Sequence, residues 1–176
     1  MEIALTLLLI QGALGAFDTL WYHEWRQRLP SRPTAKRELQ LHASRDFAYA
    51  VVFGSLAWVE WHGSLAWAFA AVLVFEIIIT LWDFIEEDIS RPLPAGERVM
   101  HTIMAIIYGA FLAYLVPVLV TWSASPTEFA PANHGVVSWL MSFMAVGVFS
   151  SGIRDLVAAL NIPPTPAKEA CAAVNS

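Results

Sequence analysis

Apolar runs of about 20 residues, each long enough to carry a helix across the roughly 30 Å hydrocarbon core of a bilayer, recur along this chain and leave it few folds. They lie near 2–25, 38–60, 63–88, 97–122 and 135–160. Hydrophobic residues make up 57% of the chain and charged residues 14%, whereas soluble domains carry about 25% charge. So much apolar surface does not fit inside a water-soluble core, and in lipid the backbone must pair within its own segment. The expected fold class is an all-α integral membrane protein with five transmembrane helices, in a single domain over 1–162.

The first run has Gly12-Ala13-Leu14-Gly15-Ala16, small residues of the kind found at signal cleavage sites, but it begins with Glu2 rather than a basic leader. Apolar character resumes through Leu20, Trp21 and Trp25, so it reads as a retained helix. Basic residues mark cytoplasmic loops. Arg26, Arg28, Arg32, Lys36, Arg37 and Arg45 surround the first connection, Arg91 and Arg98 the third, and Arg154 and Lys168 follow the fifth helix. That asymmetry predicts a cell-membrane protein with its N-terminus outside and its C-terminus cytoplasmic. The basic loops are explained by topology and anionic lipid headgroups.

Tryptophans favour membrane interfaces. Trp21, Trp25 and Trp82 would mark the cytoplasmic level, and Trp58, Trp61, Trp67, Trp122 and Trp139 the other. Asn161-Ile162-Pro163-Pro164-Thr165-Pro166 would stop the last helix, leaving 163–176 as a flexible tail. The lone Cys171 excludes an internal disulfide or a Cys-rich zinc site. A net charge of −5 gives no reason to expect nucleic acid.

A polar signature is written twice into these apolar segments. Glu38-x-x-x-His42 with Tyr49 recurs 59 residues on as Glu97-x-x-x-His101 with Tyr108, and each copy follows a run ending in an aspartate, Asp18 or Asp83. The first four helices then form a pseudo-two-fold duplicated hairpin bundle, its halves about 1–60 and 63–122, with 135–160 an addition. Residues four apart share a helical face, so each Glu and His point one way. Glu76, Thr80, Asp83 and Glu87 likewise form one stripe. Asp18, His42, Asp83 and His101 each fall one to two turns from the expected cytoplasmic ends, roughly 10 Å in the case of Asp18, so the groups can meet in one layer.

Ionisable groups are costly in hydrocarbon, and a repeated set of them points to a functional site. A single Glu–His pair on a helix is ordinarily a solvated or mutually bonded pair; two copies at matching depth, each with an aspartate, favour metal. The expected ligands are Asp18, Glu38, His42, Asp83, Glu97 and His101. His23, Glu24, Glu86, Glu87 and Asp88 adjoin them as additional candidates, and His23 falls opposite Glu87 when the halves are aligned, so each hairpin can supply one further ligand or a hydrogen-bond acceptor behind one. Tyr49 and Tyr108 suit packing or hydrogen bonding to ligands. Asp46 beside Arg45, and Asp155 beside Arg154, look like local ion pairs. Glu76, about 18 Å from the end of its helix, is harder to set aside: binding a proton, accepting a bond from a neighbouring helix and extending a polar path to the site are all open to it.

The order carboxylate, Glu plus His, carboxylate, Glu plus His resembles the ligand pattern of the ferritin-like di-iron carboxylate four-helix bundles, here embedded in a membrane. Two features depart from that pattern: the spacing is Glu-x-x-x-His, and the single carboxylates are aspartates. The resemblance implies two transition-metal ions, iron first, with zinc or manganese also suited to mixed imidazole and carboxylate ligands. The expected function is a metal-dependent oxidoreductase acting on a lipid-like or other apolar small molecule near the cytoplasmic face, with an electron donor on that side. Glu87 or His23 would shuttle protons as catalytic residues. The alternatives are a zinc-dependent hydrolase, a non-catalytic metal or proton transporter, and haem held by His42 and His101. Mostly apolar outer halves of the helices weigh against transport.

Overall fold

A computed structural model describes residues 1–163 and is almost wholly helical. The expected flexible tail, with Cys171, falls outside the described residues apart from Pro163. Five α-helices follow in order: α1 Glu2–Asp18, α2 Lys36–Leu56, α3 Ser64–Ser90, α4 Ala95–Ser123 and α5 Val136–Asn161. Four helical segments are long and apolar enough to cross a membrane: Glu2–Arg26, Ser64–Ser90, Ala95–Ser123 and Val136–Asn161.

The second helix does not meet that measure, against the expectation of five spans. Lys36, Arg37, Glu38, His42, Arg45 and Asp46 lower its apolarity. Its tolerance for them follows from its position, since α2 packs on α3 along one side and on α5 along the other. Glu38 and His42 are buried among protein rather than presented to lipid. At Gly152 of α5, an added methyl group would lie about 3.0 Å from the Phe47 ring of α2, so glycine permits this close approach.

Close packing joins α1 to α4 and α2 to α3, between the two expected halves; α3 and α4 touch less. At the end opposite the basic loops, the connections after α2 and α4 meet in a short antiparallel pair not expected of an all-α chain. Here β1, Val59–Trp61, runs against β2, Phe129–Pro131, with Glu60 opposite Ala130. Gly63 follows with φ of +59°, where a side chain would strike the Thr127 backbone. Thr127 Oγ1 in turn accepts the Ser64 N–H at 3.1 Å, satisfying one of the free donors at the start of α3.

The core of this end is apolar and closed: Leu5, Leu8, Phe53, Phe69, Phe111, Leu115 and Met141 are fully buried. Outward faces carry large apolar side chains instead, among them Phe75, Ile78, Leu81 and Ile85 on α3 and Phe143, Val146 and Phe149 on α5. An exposed surface of that composition suits hydrocarbon.

Candidate metal centre

The opposite end of the bundle buries charge. Asp18, His23, Glu38, His42, Asp83, Glu87, Glu97 and His101 are all at most 6% exposed. All six expected ligands, and both residues expected to move protons, are buried at this end.

Helix geometry assembles the set. After Asp18 the first helix loosens into π-type winding over Thr19–Arg26. An α-helix puts residues four apart on one face; the wider π turn brings residues five apart together. Asp18 Oδ2 accordingly lies 3.3 Å from His23 Nε2. On α4, Glu97 and His101 are one turn apart and face the same side, with His101 Nε2 3.2 Å from Asp18 Oδ2 and Glu97 Oε1 3.5 Å from His23 Nε2. Across the bundle His42 Nε2 of α2 sits 3.1 Å from Asp83 Oδ2 of α3. The His23 and His42 rings stack with centroids 4.6 Å apart, so the two clusters touch.

Glu87 lies between them. One carboxylate oxygen is 3.8 Å from His42 Nε2, and the other is 3.4 Å from His101 Nδ1. Among the described residues, two groups have ligand atoms close enough to share an ion: His23, Glu87, Glu97 and His101, and Glu38, His42 and Glu87, each set within 4.8 Å of one another. Glu87 belongs to both. Asp18 and Asp83 are in neither; their oxygens face the histidines instead. Geometry thus brings His23 and Glu87 among the candidate ligands and sets the two aspartates as histidine partners, a division that helical spacing alone does not reveal.

Two arginines that the distribution of basic residues assigned to lipid and topology turn inward. Arg91, in the α3–α4 connection, is buried and spans the two matching glutamates: its Nη2 donates to Glu97 Oε1 at 2.6 Å and to Glu38 Oε1 at 2.9 Å. Burial opposes its charge, yet bonds from Glu97 and Glu38 outweigh that and hold its pKa above the ordinary arginine value. Arg45 donates to Asp83 Oδ2 at 2.7 Å, and among the described residues no ion pair joins it to its expected partner Asp46. Arg91 was hidden because a basic residue at a membrane surface usually needs no partner, and Arg45 because the adjacent Asp46 offered a nearer one.

Asp155 is a further member. It accepts from Arg154 at 2.7 Å, as adjacency predicts, and its other oxygen lies 3.9 Å from His42 Nδ1. Glu24, Glu86 and Asp88 stand apart from the centre. They pair with Arg154 at 2.7 Å, Arg37 at 3.3 Å and Arg98 at 3.5 Å respectively.

Charge within the centre does not balance. Five carboxylates, Asp18, Glu38, Asp83, Glu87 and Glu97, face two guanidiniums, leaving three negative charges to be met by protons on the histidines or by bound cations. Both Glu87 oxygens, His23 Nε2, His42 Nε2, Asp18 Oδ1 and Asp83 Oδ1 are buried without a hydrogen bond. Orphaned acceptors at such density are costly unless something else satisfies them. Imidazole nitrogen mixed with carboxylate oxygen suits iron, manganese or zinc.

No protein-family model matches this chain, and neither a curated protein nor a solved structure does.

Proposed function

We propose that the chain is a membrane-embedded dimetal oxidoreductase, with iron as the metal, acting on a lipid-like or other apolar substrate near the cytoplasmic face. The observation that carries this reading is Glu87, a buried carboxylate with both oxygens free of hydrogen bonds and shared by two adjoining groups of ligand atoms. One carboxylate serving two metals needs that placement. His23, Glu97 and His101 would hold one ion, and Glu38 and His42 the other. Asp18 would orient His101 through the bond to its Nε2, leaving Nδ1 toward Glu87, while Asp83, held by Arg45, lies beside the His42 nitrogen that faces Glu87. When bound, the iron pair would supply redox chemistry, which zinc lacks.

The topology belongs to the same proposal. α2 spans within the shelter of its neighbours as a fifth membrane helix, and the first four helices are a duplicated hairpin whose equivalent residues meet crosswise, Asp18 with His101 and Asp83 with His42. The centre then sits at the cytoplasmic edge of the hydrocarbon layer, within lateral reach of an apolar substrate and close to an electron donor on the aqueous side. The apolar core at the far end, with Phe53, Phe69, Phe111 and Leu115 buried, favours catalysis over transport.

Elemental analysis of the purified full-length protein tests the reading. About two irons per chain are expected, with loss of both in the His42→Ala, His101→Ala double variant. Folded protein purified without transition metal would sink the dimetal reading, and a zinc-only content would replace oxidation with hydrolysis.

A further inference from the structure

Two helical turns below the centre, about 10 Å deeper, the bundle carries a second polar layer. Gln11, Tyr49, Glu76 and Tyr108 stand seven residues from Asp18, His42, Asp83 and His101 respectively, so each of α1 to α4 repeats its polar residue on nearly the same face. Both layers follow the same internal correspondence: Gln11 answers Glu76 as Asp18 answers Asp83, and Tyr49 answers Tyr108. Replacement of one carboxylate by an amide leaves the lower layer with a single acid.

Glu76 is 1% exposed. Thr80 Oγ1 donates to Glu76 Oε1 at 2.7 Å. Gln11 Nε2 donates to the Tyr49 hydroxyl at 3.4 Å, while the two tyrosine rings meet edge to face at 5.8 Å. Glu76 Oε2, the Tyr108 hydroxyl and Gln11 Oε1 have no hydrogen bond. Above the layer, Arg45 stands one turn from Tyr49 on α2 and is already bound to Asp83. Nothing in packing requires an acid here, since leucine would fill the place without desolvating a carboxylate.

We propose that this layer is a proton site coupled to the centre above it, in which Glu76 takes up one proton when the centre accepts one electron and releases it on reoxidation. The inference rests on the dimetal reading. The electron comes from a one-electron donor on the cytoplasmic side and the proton from water at that face. The only bond formed is O–H on Glu76; reoxidation breaks it. Thr80 lies between Glu76 and Asp83 on the polar stripe of α3, about one turn from each, and its hydroxyl donates to Glu76. The groups facing Glu76 are Gln11 from α1, Tyr49 and Arg45 from α2, Thr80 on its own helix and Tyr108 from α4. Storing the proton beneath the centre keeps net charge constant in a region where hydrocarbon makes an uncompensated electron costly.

Potentiometric titration of the full-length, metal-loaded protein over a range of pH tests the coupling, with metal content measured on the same samples. One proton per electron makes the wild-type potential fall by about 59 mV per pH unit, the equivalent of a tenfold change. In Glu76→Gln the metals stay and the slope flattens. An infrared difference spectrum, reduced minus oxidised, should show the carbonyl band of a protonated carboxyl in the wild type and lose it in Glu76→Gln. Should that variant fail to fold, Thr80→Val serves, because loss of its hydroxyl must shift the band. A wild type with no such band, a Glu76→Gln slope equal to wild type, or a band unmoved in Thr80→Val overturns the inference. Metal retained with an unchanged slope leaves the dimetal reading standing; a chain devoid of metal fails that reading instead.

Discussion

The two sides of the centre are built from the same repeated residues and differ in what surrounds them. On one side Asp18 faces His101, and the π turn adds His23, giving two imidazoles with no guanidinium on the aspartate. On the other, Asp83 faces His42 but is also bound by Arg45, and α5 places Asp155 behind the ring. A fixed positive charge beside a metal position opposes a divalent ion, while a second histidine favours one. Equivalent sequence therefore yields unequal surroundings: Arg91 is common to both sides, and on the dimetal proposal the His23 side, with four candidate donors against three, should bind more tightly and fill first.

Removing the residue common to both sides has the largest expected effect. Glu87→Gln keeps the shape of the side chain and deletes its charge, and metal content should fall from two towards none. Full retention of both ions would break the shared-carboxylate picture. Single histidine variants then separate the sides. His101→Ala should remove the tighter ion and His42→Ala the weaker one, leaving one metal per chain in each case, with the survivor in His42→Ala resisting a chelator longer. Equal chelator resistance in the two variants would show that Arg45 and His23 do not distinguish the sides.

That asymmetry was only partly legible in the sequence. The duplication is visible because Glu-x-x-x-His repeats at a fixed offset, and residues four apart share a face on any α-helix. Membrane-length helices are visible because lipid demands apolar composition. His23 beside Asp18 was not, because five residues bring two side chains together only where the helix relaxes to π winding. Arg91 was equally hidden. A basic residue in a loop between spans fits topology, and only the folded chain brings the distant Glu38 to it. The second helix is less apolar than the other four, and only the folded chain shows that its polar residues pack against α3 and α5.

Asp155 offers a smaller lever on the same comparison. A carboxylate behind a ligating histidine fixes ring orientation and raises its basicity, and its loss typically costs about 10- to 100-fold in metal affinity. Asp155→Asn should weaken binding by that factor on the His42 side alone, leaving the tighter ion untouched. A competition titration with a chromogenic chelator reads both steps. A loss spread equally over the two ions would mean that α5 supports the whole bundle rather than one ring.

The smallest effect is expected one residue from the largest. Glu86 precedes Glu87 on α3, but the 100° step between successive helical residues turns it to the margin, where it meets the half-exposed Arg37 at 3.3 Å. An ion pair so open to solvent contributes about 0–1 kcal/mol. Glu86→Gln should therefore keep both metals and shift thermal unfolding of the detergent-solubilised protein only slightly. Loss of metal from this variant as severe as from Glu87→Gln would mean that negative charge near the cytoplasmic end, rather than one shared carboxylate, retains the ions, and the inequality of the two sides would lose its physical basis.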